Sequence, residues 1–217
     1  MNNTISVQGV TKVFKRQTVL QNVSVDFADG GLYGLIGRNG SGKTMLMRCI
    51  CGFVPPTSGE IFVHGKRVLY GSDFPKGIGF MIESPGFLNR VSGLNNLKRL
   101  ASINRIIDET RIREVMRMVG LDPDSKKQVG RYSLGMRQRL GIAQAIMESP
   151  NILILDEPMN GLDNTGVKQM RALFLQLKAE GKTIILTSHN HENIDALCDE
   201  IYEMNAGVIT KRQSALL

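Results

Sequence analysis

The chain has 217 residues, 42% of them hydrophobic and 22% charged, and a formal net charge of +7. These proportions are those of a globular unit with a sizeable core and exclude disordered or collagen-like chains. No apolar run approaches the roughly 18–20 residues of a membrane-spanning helix, and Met1 to Ser6 lack the basic and apolar blocks of a secretory leader, so a cytoplasmic protein is expected.

From Thr4 to Gly65 short β-rich runs (Ile5–Val7, Val23–Phe27, Ile61–Val63) alternate with Gly, Asn and Asp turns, the pattern of a small antiparallel sheet. Within this stretch the strand-like Leu32–Ile36 leads into Gly37-Arg38-Asn39-Gly40-Ser41-Gly42-Lys43-Thr44, which fits G-x-x-x-x-G-K-[ST] at every defined position. Glycines let successive N–H groups curl inward as an anion nest, and the helix expected after Gly42 points its positive end at the same spot. Lys43 adds a charge for the β- and γ-phosphates of a nucleotide, and the Thr44 hydroxyl suits Mg2+. The three cysteines, Cys49, Cys51 and Cys198, are too few and wrongly spaced for a zinc site or a disulfide framework, and read as small buried apolar residues.

Between about Gly93 and Gly120 the period lengthens: Leu94, Leu97 and Leu100, then Ile112, Val115, Met116 and Val119, recur at helical spacing and predict an inserted helical lobe. From Lys98 to Arg139 there are 11 basic and 5 acidic residues, so the middle of the chain carries +6 of the +7. Such a face suits nucleic acid, anionic lipid or an acidic partner, or is simply a solvated helical surface.

From Leu140 onward helix and strand alternate: a helix to about Met147, a strand over Ile152–Asp156, a helix from Asn164 carrying Val167, Met170, Phe174 and Leu177, and a strand over Thr183–Thr187. This alternation predicts a parallel sheet flanked by helices. Ile152–Leu155 is apolar throughout, as in a strand buried on both faces, yet it ends in Asp156-Glu157. Ligands of open α/β sheets sit at the carboxyl ends of strands, so Asp156 is expected to hold Mg2+ and Glu157 to orient or deprotonate an attacking water.

With these segments in view the chain resembles the ABC ATPase family over nearly its whole length. Tyr132-Ser133-Leu134-Gly135-Met136-Arg137-Gln138-Arg139-Leu140 is similar to the family's Leu-Ser-Gly-Gly-Gln signature followed by Arg-Gln-Arg. Asn160-Gly161-Leu162-Asp163 resembles its D-loop, and Thr187-Ser188-His189 ends the next strand where the switch histidine belongs. The resemblance implies an α/β P-loop NTPase with a RecA-like parallel sheet core, a small antiparallel β-subdomain and an inserted α-helical subdomain at about 88–135, within one nucleotide-binding domain over 1–217. It implies ATP and Mg2+ as the bound pair, with Phe14 stacking on adenine, Gly37 to Thr44 around the phosphates, and Thr44, Asp156 and Glu83 offering oxygens to the metal. Glu157 and His189 would be catalytic, while Ser133 and Gly135 would reach the γ-phosphate held by the opposite copy and Asp163 would serve the D-loop.

The partners implied are a second copy in a head-to-tail homodimer, or a paralogue in a heterodimer, and a separate transmembrane permease that keeps the chain on the inner face of the membrane; nucleic acid is not expected. Three positions depart from the usual pattern: Leu134 replaces the signature's first glycine, Met136 its glutamine, and Glu83, in Met81-Ile82-Glu83-Ser84-Pro85, a glutamine. Together with the Asn-Gly-Leu-Asp loop these features are similar to the branch that exports peptide antibiotics such as bacitracin and lantibiotics. The function implied is ATP-driven export; an importer, a motor acting on an envelope enzyme, and a DNA- or translation-associated ATPase are the alternatives. Relatives of the last kind usually carry tandem ATPase units or a long coiled coil, whereas 89 positions separate Thr44 from Ser133 here. A small P-loop kinase would leave the signature unexplained.

Overall fold

A computed structural model describes residues 3–71, 74–83, 86–188 and 194–212. The first layer is a hairpin of two twelve-residue strands, β1 (Asn3–Phe14) and β2 (Gln17–Ala28), turned through Lys15 and Arg16 at φ 43° and 72°. Positive φ at both turn residues matches the twist of the flanking strands. β4 (Ser58–Val63) and β5 (Lys66–Arg67) complete an antiparallel sheet in the order β2-β1-β4-β5. These strands are longer than the short runs that the sequence suggests, because register shifts such as the one between Val7 and Val10 interrupt the alternation of apolar residues.

The second sheet combines β3 (Leu32–Ile36), β6 (Ile78–Met81), β7 (Ile152–Leu155), β8 (Thr183–Thr187), β9 (Glu200–Asn205) and β10 (Val208–Lys211) in the order β10-β9-β3-β8-β7-β6. All are parallel except β10, which pairs antiparallel with β9 at the edge. Every residue of β3, β7 and β8 is buried, which accounts for the apolar sequence of β7 and of Ile184–Leu186 in β8, whose end residues Thr183 and Thr187 are buried with their hydroxyls hydrogen-bonded. Side chains leave the two faces alternately: Tyr33, Leu35, Ile152, Ile154 and Ile185 enter one core, shared with the antiparallel sheet and with α1 (Lys43–Ile50). Leu32, Ile36, Leu153, Leu155, Ile184 and Leu186 enter another, covered by the remaining helices. Each buried Leu or Ile contributes about 1.5–3 kcal/mol relative to exposure, so the central strands are anchored from both sides.

Those helices are α2 (Gly93–Asn104), α3 (Glu109–Met118), α4 (Leu134–Ile146) and α5 (Asn164–Ala179). Leu97, Ala101, Ile112, Val115 and Met116 knit α2 and α3 onto α4. α4 starts at Leu134, where Ser133 caps it by accepting from the Met136 N–H at 3.2 Å. Its first turn shows no apolar stripe, Leu134 being 59% exposed, so the cap is the local signal. Among the described residues no helix is long and apolar enough to cross a membrane. Cys49 and Cys51 are buried and Cys198 half-buried, all free, and burial pushes their thiols up to about 11, 12 and 12.

Candidate functional site

At the carboxyl end of β3 the loop to α1 can only be built with glycine. Gly37 has φ 144°, and a β-carbon there would sit 2.2 Å from the Met204 carbonyl oxygen; Gly42 has φ 111°, with the Val19 carbonyl oxygen 2.9 Å from such a carbon. The loop is pinned from behind, because the Gly207 N–H donates to Ser41 O at 2.9 Å while the Gln21 N–H donates to Gly207 O at 2.9 Å. The β9–β10 turn thus ties the loop to the antiparallel sheet. The buried Ser41 Oγ has no hydrogen-bond partner among the described residues, a situation that costs about 1–3 kcal/mol unless a ligand oxygen supplies one.

Lys43, 7% exposed, donates through Nζ to Gly37 O at 2.7 Å and to Arg38 O at 3.2 Å. Burial lowers its pKa, and the carboxylates of Glu157 and Asp156 oppose the shift. One position on, the Thr44 hydroxyl donates to Asp156 Oδ2 at 2.8 Å, and the other carboxylate oxygen accepts from the Thr187 hydroxyl at 2.8 Å. The phosphate loop, the end of β7 and the end of β8 therefore meet at one carboxylate. Glu157 follows at φ 50°, a left-handed conformation that a non-glycine residue keeps only when its surroundings enforce it. Three contacts do so: its N–H donates to Thr187 Oγ1 at 2.7 Å, and its carbonyl accepts from Gln138 Nε2 at 2.6 Å and from the Asn160 N–H at 3.1 Å.

Asn39 to Thr44, Asp156 and Glu157 line a cleft of about 380 Å³ that also includes Val19, Met45, Arg48 and Glu83, while Gly37, Arg38, Gln138 and Thr187 are outside its lining. Glu83, at φ 60°, is held by the Arg48 guanidinium at 2.7 Å. The cleft fits a magnesium nucleotide: it offers a glycine cradle, an ammonium, a partnerless buried hydroxyl, and a hydroxyl and carboxylate already in contact. No group of three or more His, Cys, Asp or Glu side chains suited to a metal occurs among the described residues.

Not every residue singled out in the sequence joins this cleft. Phe14 lies at the β1–β2 hairpin, 45% exposed, with the Lys12 ammonium 4.7 Å from its ring centroid; Val19 rather than Phe14 lines the cleft. Ser133, Gly135 and Asp163 are also outside its lining. Asp163 caps α5 by accepting from the Gly166 N–H at 2.8 Å, and the signature abuts the D-loop, with a β-carbon on Gly135 falling 2.9 Å from Gly161 O. His189 lies outside the described residues. Three participants went unassigned in the sequence: Arg48, one turn beyond Thr44 on α1; Thr187, bridging Asp156 and Glu157; and Gln138, joining α4 to the Glu157 carbonyl. Position within the Arg137-Gln138-Arg139 run was the only local signal for Gln138.

A family model described as ABC transporter matches residues 20–160. An uncharacterised ABC transporter ATP-binding protein of Bacillus subtilis (strain 168), YybJ, is 45% identical over 94% of this chain and 93% of its own length. The bacitracin transport ATP-binding protein BcrA of Bacillus licheniformis is 39% identical over 95% of this chain and 68% of its own; the lantibiotic transport ATP-binding protein SrtF of Streptococcus pyogenes is 36% identical over 91% and 85%. Among solved structures, an ATP-binding subunit of an ABC transporter superposes with TM-score 0.86 at 25% identity, over 97% of this chain and 90% of that one. A dimeric cassette in a post-hydrolysis state bound to ADP and Pi has TM-score 0.86 at 21% identity, over 96% and 98%, and shares the fold.

Proposed function

The chain belongs to the ABC transporter family, as an ATP-binding and ATP-hydrolysing subunit, and from this we propose that it pairs with a second cassette and drives export of a peptide antibiotic through a separate permease on the inner face of the membrane. The observation that carries the reading of the site is the 2.8 Å contact between the Thr44 hydroxyl and Asp156, which joins a phosphate cradle to an acidic strand end. The names of the bacitracin and lantibiotic relatives support the cargo class and the direction.

In this reading the cradle from Gly37 to Thr44 binds the phosphates, and Lys43 turns from its carbonyl partners toward the β- and γ-phosphates. Thr44 and Asp156 hold Mg2+, with Glu83 free to contribute an oxygen once it leaves Arg48. The metal, when bound, neutralises charge developing on the terminal phosphoryl group. Glu157 orients the attacking water and accepts its proton, its backbone being fixed by Thr187 and Gln138. Phe14 borders the adenine, and His189 steadies the γ-phosphate.

Ser133 and Gly135 lie at a helix start, where unpaired N–H groups and a hydroxyl attract an anion. They complete the cleft of a second copy packed head to tail, with Asp163 at the junction, and so fall outside the cleft of their own chain. Motion passes to the permease through the Glu83 loop and the helical lobe.

Replacing Glu157 by Gln tests this directly. The variant is expected to bind ATP as before, to hydrolyse it about 10²–10⁴-fold more slowly, and to elute as a dimer in ATP on gel filtration. Turnover equal to the parent would remove Glu157 from the mechanism.

A further inference from the structure

A second groove, of about 610 Å³, lies on the helical lobe and shares no lining residue with the nucleotide cleft, and its lining contains no carboxylate. Arg90, Lys98, Arg99 and Lys126 supply four cations, with the hydroxyls of Ser92 and Ser102 between them. Lys98 is paired with Glu109 at 2.5 Å, but Arg90, Arg99 and Lys126 have no carboxylate partner among the described residues. Like charges gathered in one concavity repel one another unless an anion offsets them.

The placement along α2 narrows the choice of anion. Asn95, Lys98, Arg99 and Ser102 recur at helical spacing on the side opposite the buried Leu97 and Ala101. The flank next to Arg99 carries Ile103, 75% exposed, followed by Ile106 at 65%, both bordering the neighbouring groove that Phe80 and Leu100 also line; Leu88, two residues before Arg90, is 49% exposed. Cations bordered by bare aliphatic side chains are the composition of a surface that meets lipid headgroups and the upper acyl region together. A nucleic acid or an acidic peptide would match the cations and leave the aliphatic rim in water.

We propose that this basic face binds the phosphate groups of anionic phospholipids, so that the lobe contacts the bilayer beside the permease. The proposal rests on the reading of the chain as a subunit held at a membrane, and it draws on Lys98, Arg99 and Lys126 of the basic middle of the chain together with Arg90. Each cation close to an anionic leaflet strengthens attachment roughly fivefold.

The full chain, without permease, is floated with vesicles of phosphatidylcholine alone or with 30% phosphatidylglycerol. Binding is expected only to the anionic vesicles and weaker at raised salt. The triple variant Arg90→Gln, Arg99→Gln, Lys126→Gln is expected to lose it by about a hundredfold, while Lys66→Gln, Lys168→Gln, Arg171→Gln, with the same loss of charge elsewhere, keeps it. ATP hydrolysis, measured on the same samples, stays at the parent level in both variants, so a failed lipid contact is distinguished from a failed ATPase reading. Equal loss in the two triple variants would reduce the effect to net charge and overturn the proposal. So would protection of the groove by millimolar inorganic phosphate as effective as by vesicles, or binding confined to a polyglutamate peptide.

Discussion

Lys43 is held by two carbonyls of its own loop, and its burial lowers the pKa against the pull of Glu157 and Asp156. Nucleotide phosphates brought to the ammonium raise that pKa again, so the bound state holds more proton than the free state at alkaline pH. Affinity therefore falls as pH rises through the pKa of the free protein, by up to about a tenfold per pH unit, and binding takes up a proton there. Calorimetry at alkaline pH in two buffers of different ionisation enthalpy should report this uptake in the parent and none in Lys43→Met; an uptake that survives the substitution would assign it elsewhere. The glycine loop was legible because its chemistry is local, each glycine answering a backbone angle or a close carbonyl. Arg48 and Gln138 were not, since Glu83 and the Glu157 carbonyl reach them only through tertiary packing.

Among the elements, β7 and β8 could be read because both faces are buried and the code reduces to continuous aliphatic sequence. β6, β9 and β10 escaped: Ile78–Met81 is short and contains a glycine, and Glu200–Asn205 carries two carboxylates on an edge-side strand. That glycine has a reason, for an ideal β-carbon on Gly79 would lie 1.9 Å from the Ala145 carbonyl oxygen and 2.6 Å from Pro150 Cγ. The end of α4 rests directly on the β6 backbone. Gly79→Ala should push the helix away and destabilise the fold by roughly 1–3 kcal/mol, as overpacking against groups that cannot rotate aside does. Urea unfolding measures the difference, and a midpoint equal to the parent's would mean that α4 yields freely. Because α4 also holds the Glu157 carbonyl through Gln138, the same variant is expected to hydrolyse ATP more slowly even where it remains folded.

At the scale of the whole molecule, one chain presents two unlike half-sites: a cradle with its acidic strand end, and a capped helix start at Ser133 outside the lining of that cleft. The sequence supplied both motifs but only through family resemblance linked them across two copies, because no local pattern encodes which surfaces of separate molecules meet. A head-to-tail pair makes a specific demand on mixtures. Lys43→Ala disables the cradle and Ser133→Ala the helix tip, so each variant alone forms two defective clefts. In a mixed dimer both lesions fall in one cleft and the other is built from an intact cradle and an intact tip. Random pairing of equal amounts then leaves about a quarter of all clefts whole. Mixing the two inactive variants should accordingly restore ATPase activity to a measurable fraction of the parent, rising with protein concentration as dimers form. If each cleft were instead completed by its own chain, the mixture would stay as inactive as its components at every concentration.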